Sequence, residues 1–149
     1  MGFSDWTPQY TVNNPVMDEH HQTIFKMVNQ LHEAIFAKKA KESLGVIISS
    51  LMDYTERHFA EEERIMQQHN YPGYLQHKAA HEHLSAQAQE FKLKYMAGDN
   101  TISSELFYFL VSDLLVKHIL NMDKKYAPFL KNAPSARAEC MLQNASVYP

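Results

Sequence analysis

Six polar side chains occupy positions where the helical pattern of the sequence calls for leucine or isoleucine. Five are histidines and one is a glutamate: His21, His58, Glu62, His77, His81 and His118. Burying a polar group without a partner costs on the order of 1–3 kcal/mol, and a carboxylate costs more. Six such groups in one core would offset most of a typical folding free energy of about 5–15 kcal/mol unless something binds them. The interior of a helix bundle is a known place for metal sites built from facing helices.

The spacing of these residues supports a shared site. His58 and Glu62 are four residues apart, and so are His77 and His81. On an α-helix this spacing leaves two side chains about 40° apart and one turn along the axis. Each pair can therefore reach the same small volume.

A second carboxylate, Asp123, follows His118 by five residues. Five residues turn an ideal helix so that the two side chains point about 140° apart, which is poor for a shared site. Asp123 joins the site only if the helix is locally widened, for instance by a π-type bulge. Five neutral imidazoles with two carboxylates suit iron, zinc or copper, and spacing alone does not choose between these metals.

Four segments with apolar residues at helical spacing must position these side chains. They are separated by a polar stretch at 38–41, by Asn-Tyr-Pro-Gly at 70–73 and by Gly98, which is expected to end the third helix. Ser103 or Ser104 is expected to begin the fourth helix, which should end near Pro128. Four helices of roughly 20–28 residues with short connections predict an all-α fold, an antiparallel up-down four-helix bundle.

Two flanking segments lack this periodicity. Residues 1–15 are expected to form an irregular N-terminal arm, and residues 131–149 a tail or linker. The bundle domain is therefore placed at 1–130. If the chain is a fragment, the tail could lead to a downstream signalling domain.

Composition excludes several classes of protein. The 149 residues carry a formal charge of −3, which does not indicate a nucleic-acid or membrane binder. One cysteine, Cys140, excludes an intramolecular disulfide framework and a thiolate zinc site. The N-terminus has no basic region followed by an apolar run, and no stretch approaches membrane-spanning length. A cytoplasmic location is therefore expected.

The sequence resembles the hemerythrin family, specifically the bacterial hemerythrins, over about residues 3–130. The resemblance rests on Met-Asp-Glu-His-His at 17–21, His58-Phe59 with Glu62, Tyr71-Pro72 with His77 and His81, and His118-Ile119 with Asp123 and Tyr126. All seven ligand positions of that family are filled with its ligand types. This resemblance favours inclusion of Asp123, which spacing alone leaves doubtful.

The resemblance implies a non-haem centre of two iron ions. By analogy, one iron would be held by His77, His81 and His118, and the other by His21 and His58. The two ions would be bridged by Glu62 and Asp123 together with an oxo or hydroxo group. The iron with two histidines would keep an open position that binds dioxygen reversibly and that small anions could also enter.

Two leucines are expected beside the oxygen pocket. Leu115 matches the leucine that covers the oxygen site in the family, whereas Leu114 stands where many bacterial members have tryptophan. One interpretation of Leu114 is ordinary core packing. The other is a less well-sealed pocket, which would admit water or anions and speed autoxidation.

Other residues near the motif are expected to play no part in the site. The remaining histidines have no matching partner in the pattern: His20, His32, His69 and His83. The two glutamates that flank Glu62, Glu61 and Glu63, are expected to be solvated surface charges.

Three functions remain open. An oxygen carrier or store is the first, and the oxygen- or redox-responsive input domain of a signalling protein is the second. A di-iron redox enzyme that reduces peroxide or nitric oxide is the third, although no general acid or base is evident beyond the ligands. The chain is therefore predicted not to be an enzyme.

Overall fold

The computed structural model describes residues 4–99 and 102–130. Its helices are α1 (Pro15–Phe36), α2 (Lys41–Gln68), α3 (Tyr74–Met96), α4 (Ile102–Tyr108) and α5 (Ala127–Leu130). A π-helix, Phe109–Met122, continues α4 without a break, and a 3-10 turn, Asp123–Lys125, follows it. The described residues contain no strand.

The helices form a closed four-helix bundle. α1 packs on α2 and α2 on α3, while α4 and the π-helix pack on both α3 and α1. Short connections at 37–40 and 69–73 force consecutive helices to run in opposite directions. The predicted all-α, antiparallel architecture is confirmed.

The ends of the helices follow from local sequence. The Asn14 side-chain oxygen accepts hydrogen bonds from the backbone N–H groups of Val16 and Met17, both at 3.1 Å, which caps α1. At the end of α3, Gly98 has φ +97° and donates its N–H to Tyr95. A glycine adopts this left-handed conformation without a steric penalty, so the expected stop at Gly98 is confirmed.

The fourth helix differs from expectation in three respects. It begins at Ile102 rather than at Ser103 or Ser104, and it widens into a π-helix at Phe109. Pro128 does not end it, because the change to a 3-10 turn already comes at Asp123. Pro128 instead lies in the first turn of α5, where backbone N–H groups have no partner within the helix, so proline loses no hydrogen bond there.

The described part of the N-terminal arm is irregular apart from a 3-10 turn at Pro8–Tyr10. Ser4 and Asn29 exchange two hydrogen bonds of 2.9 and 2.8 Å, and the backbone N–H of Val12 donates to Asp18 at 2.9 Å. These bonds fasten the arm to α1. Residues 1–3 and the expected tail at 131–149, with Cys140, lie outside the described residues.

The core consists of two apolar clusters. The larger contains Ile24, Leu51, Phe59, Leu84 and Leu115 among others. The smaller lies toward the α2–α3 connection and contains Val12, Met17, Ile65, Met66, Tyr126, Ala127 and Leu130. On the long helices, the polar residues of the stripes lie near the boundary between the two clusters. Over the range that the structure covers, no helix is long and apolar enough to cross a membrane.

Candidate metal centre

All seven side chains expected from the sequence converge between the two apolar clusters. None of them is more than 3% exposed. The atoms that could bind a metal form two groups, and within each group they all lie within 4.8 Å of one another. One group consists of Glu62, His77, His81, His118 and Asp123, and the other of His21, His58, Glu62 and Asp123. Glu62 and Asp123 belong to both groups, so the two carboxylates lie between two sets of imidazoles.

The α-helical pairs meet in the way that their spacing predicts. The His77 and His81 rings, one turn apart on α3, have centroids 4.6 Å apart. On α2, the Nε2 atom of His58 lies 3.5 Å from Oε2 of Glu62. α1 adds His21, whose ring centroid is 4.7 Å from that of His58.

Asp123 reaches the site because of the π-helix. Its backbone N–H donates to the carbonyl oxygen of His118, so the hydrogen bond spans five residues instead of four. This register brings residues five apart onto one face, and His118 Nε2 lies 3.0 Å from Asp123 Oδ1. From spacing alone, Asp123 could join the site only if the helix widened locally. The helix does widen, over Phe109–Met122.

Both carboxylates face histidines from several helices. Asp123 Oδ2 lies 3.1 Å from His21 Nε2, and its Oδ1 lies 3.0 Å from His77 Nε2. Glu62 Oε2 lies 3.1 Å from His81 Nε2 and 3.6 Å from His77 Nε2. The two acids thus link all of the helices that contribute histidines.

The donor atoms of this cluster suit metal ions. Several are buried and lack a hydrogen-bond partner among the described residues: Nε2 of His21, His58, His77, His81 and His118, Oε2 of Glu62, and both Oδ atoms of Asp123. Buried polar atoms are rarely left unpaired in native proteins. These unpaired atoms share the same small volume, and imidazole with carboxylate suits iron, zinc or copper. The residues therefore fit a pair of bound transition-metal ions.

The electrostatics of the cluster favour a cation. Burial disfavours the charged forms of His21 and His77, but the adjacent carboxylates outweigh it and raise the pKa of each to about 9. Burial lowers the pKa of His58 to about 3. Burial also opposes ionisation of Glu62 and Asp123, yet the surrounding imidazoles hold the pKa of both carboxyls below the usual range. Two anionic carboxylates thus persist in a buried position.

Tyr126 supports one of these carboxylates. It is fully buried, and its hydroxyl donates a hydrogen bond to Oε1 of Glu62. Burial and the charges of Glu62 and Asp123 raise the pKa of the phenol well above its usual value, so the proton stays on the hydroxyl. Oε1 accepts this bond and also lies 3.7 Å from Nε2 of His21, while Oε2 faces the histidines of α2 and α3.

Two residues that the sequence pattern did not connect to the site contact its histidines. Glu63, expected to be a solvated charge, is partly buried, and its Oε1 lies 2.8 Å from Nδ1 of His81. His20 is outside the ligand groups, as expected, but its Nδ1 lies 3.3 Å from Nδ1 of His58. Glu61 pairs with Arg64 on the outer face of α2, as the surface interpretation implies. Helical spacing gives no signal for the bonds of Glu63 and His20, because both cross between helices.

The two leucines assigned to the oxygen pocket lie in the π-helix and are buried in the larger apolar cluster. Leu114 lines a cavity of about 30 Å³ with Phe59, Leu84, Phe109 and Leu110, among other residues. Phe59 stacks on His81 with ring centroids 3.9 Å apart, so this cavity adjoins the metal centre through one aromatic ring. The role of Leu115 as a cover over the oxygen site stays a prediction.

Comparison with known proteins gives a consistent picture. A family model described as the hemerythrin HHE cation binding domain matches residues 13–130. Bacteriohemerythrin of Methylococcus capsulatus is 35% identical over 131 residues, which cover 87% of this chain and 98% of that protein. Myohemerythrin of Sipunculus nudus is 29% identical over 121 residues, covering 81% and 88%. A crystal structure of wild-type hemerythrin aligns with a TM-score of 0.79 at 35% identity, covering 87% of this chain and 98% of that one.

Proposed function

The chain belongs to the hemerythrin family, and on that premise we propose that it binds dioxygen reversibly at a non-haem di-iron centre. The observation that carries the proposal is the pair of ligand groups that share Glu62 and Asp123. Two groups with two carboxylates in common are what a bridged pair of ions requires.

The ligands divide unequally between the two ions. One group contains three histidines, His77, His81 and His118, and the other contains two, His21 and His58. Both groups include the carboxylates of Glu62 and Asp123. An ion held by His21 and His58 would therefore have fewer protein ligands, and we assign dioxygen to this side of the centre. Small anions are expected to compete there.

Iron bound in this centre would supply the electrons for reversible binding of dioxygen. The chain's own residues bind the ions, exclude water and hold the carboxylates. The apolar clusters pack on either side of the centre and limit the access of water, and the Tyr126 hydroxyl donates a hydrogen bond to Oε1 of Glu62. Di-iron proteins of the ferritin-like class use glutamate-rich sets, whereas this set is rich in imidazole, which is neutral when it binds a metal ion. With few anionic donors to stabilise highly oxidised iron, the site favours binding of dioxygen over its activation, so we propose a carrier or store and not an enzyme.

The test is a visible absorption titration of the reduced, iron-loaded protein, first without oxygen and then in air. A charge-transfer band is expected to appear with oxygen and to disappear on degassing. His77→Ala should abolish the band, whereas His83→Ala, which changes an exposed histidine of the same helix, should preserve it. A wild-type protein that shows no band, or that retains only zinc, would contradict the proposal.

The lifetime of the coloured form separates the roles that share this chemistry. A form that lasts through many cycles of oxygenation supports a carrier or store. Rapid oxidation within minutes favours a sensor or a redox enzyme, and the sensor gains support if residues 131–149 lead to a signalling domain.

A further inference from the structure

Both ring nitrogens of His81 face consecutive glutamates of α2, but only Nδ1 makes a hydrogen bond. Its Nε2 lies 3.1 Å from Oε2 of Glu62, and its Nδ1 lies 2.8 Å from Oε1 of Glu63. The face of the ring stacks on Phe59, with an interplanar angle of 9°. The hydrogen bond at Nδ1 and the stacking on Phe59 fix both the position and the rotation of the imidazole, with Nε2 facing the ligand group.

Three of the other histidines have different surroundings at Nδ1. The Nδ1 of His58 meets the imidazole of His20, which is not a carboxylate. Within the described ranges, the Nδ1 atoms of His21 and His77 are buried and have no hydrogen-bond partner. The Glu63 carboxylate therefore stands behind a histidine of the three-histidine group, which makes the two groups electrically unequal.

We propose that Glu63 is a positioning residue that strengthens metal binding in the three-histidine group and favours the more highly charged ion there. This inference rests on the proposed function. With Nε2 of His81 directed at the metal, Nδ1 carries the ring proton and donates it to Oε1 of Glu63. An anionic acceptor at Nδ1 increases the electron density at Nε2, so the imidazole becomes a stronger ligand. A partner of this kind is typically worth about 10–100-fold in metal affinity.

The first test is a titration of the metal-free, full-length chain with Co²⁺ in competition with a chelator, followed by visible absorption. Glu63→Gln keeps an oxygen acceptor but removes the charge, and the affinity for the tighter Co²⁺ is expected to fall about tenfold. Glu61→Gln is the matched control, because it removes the same charge from a nearby glutamate that pairs with Arg64 at the surface. It should bind Co²⁺ like the wild type.

A second measurement separates the effect of charge from that of structure. In the iron-loaded protein, Glu63→Gln should raise the reduction potential of the centre, since the ferric form loses more stabilisation than the ferrous form. A tenfold change in the ratio of the affinities for ferric and ferrous iron corresponds to about 59 mV for one electron. Urea unfolding of the metal-free variant should match the wild type, which would exclude a folding defect as the cause.

The outcomes are distinct. Equal Co²⁺ affinities for Glu63→Gln and Glu61→Gln, or an effect that appears only in Glu63→Ala, would overturn the role of the Glu63 charge while leaving the metal centre intact. A wild-type chain that binds no Co²⁺ would overturn both this inference and the proposed centre.

Discussion

The backbone N–H of Asp123 donates to the carbonyl oxygen of His118, five residues earlier in the chain. This bond places the two side chains on one face, with Nε2 of the histidine 3.0 Å from Oδ1 of the aspartate. From there Asp123 also reaches His21 on α1, 3.1 Å from Oδ2. A single carboxylate thereby joins the first helix of the bundle to the last at its centre.

Replacing this carboxylate should reduce the amount of iron that the protein binds. In Asp123→Ala the two ligand groups retain only Glu62 in common, so iron content measured by elemental analysis should fall from two ions per chain to one or fewer. Asp113→Ala removes an aspartate of the preceding π-helix, which pairs with Lys117 at 2.8 Å, and this variant should retain two iron ions. Two firmly bound iron ions in Asp123→Ala would show that the aspartate does not bridge.

Tyr126→Phe should destabilise the metal-free protein. The substitution leaves Oε1 of the buried Glu62 without its phenol donor, and a hydrogen bond to a charged group is worth about 1.5–3 kcal/mol. Urea unfolding monitored by circular dichroism gives the change in the free energy of unfolding. Tyr108→Phe, at a tyrosine that is 72% exposed, is the control and should change little. Equal losses in the two variants would rule out a supporting role for the Tyr126 hydroxyl.

Leu114→Trp should slow autoxidation several-fold. The larger side chain would fill the cavity of about 30 Å³ beside Phe59, which has room for a water molecule close to the metal centre. The measurement is the rate at which the oxygenated band decays in air. Leu93→Trp, at an exposed leucine of α3, is the control.

Tryptophan is a large addition at a position that is only 2% exposed, so Leu114→Phe provides a smaller filling of the same cavity. If both variants fold with wild-type iron content and both autoxidise at the wild-type rate, Leu114 is ordinary core packing.

Much of the fold follows from the sequence because the helices carry apolar stripes and some of them have a clear start or end signal. Asn14 with Pro15 begins α1, and Gly98 ends α3, as local chemistry requires. The polar residues inside the stripes identify the site, because histidines four residues apart on an α-helix must face the same way.

The remaining features depend on contacts between distant parts of the chain. Nothing in the local sequence indicates that the fourth helix becomes a π-helix from Phe109 onward, and without that change Asp123 points away from His118. Glu63 follows a ligand directly and resembles any exposed helix charge. Its bond to His81 exists only because α2 and α3 pack side by side.

The most direct test of reversible binding is the oxygen balance of the iron-loaded, reduced protein in a closed oxygen electrode cell. We expect uptake of one dioxygen for each pair of iron ions and its recovery as dioxygen when the sample is degassed. Uptake that is not recovered, or that continues beyond this ratio, would show that the centre consumes oxygen and would contradict reversible binding.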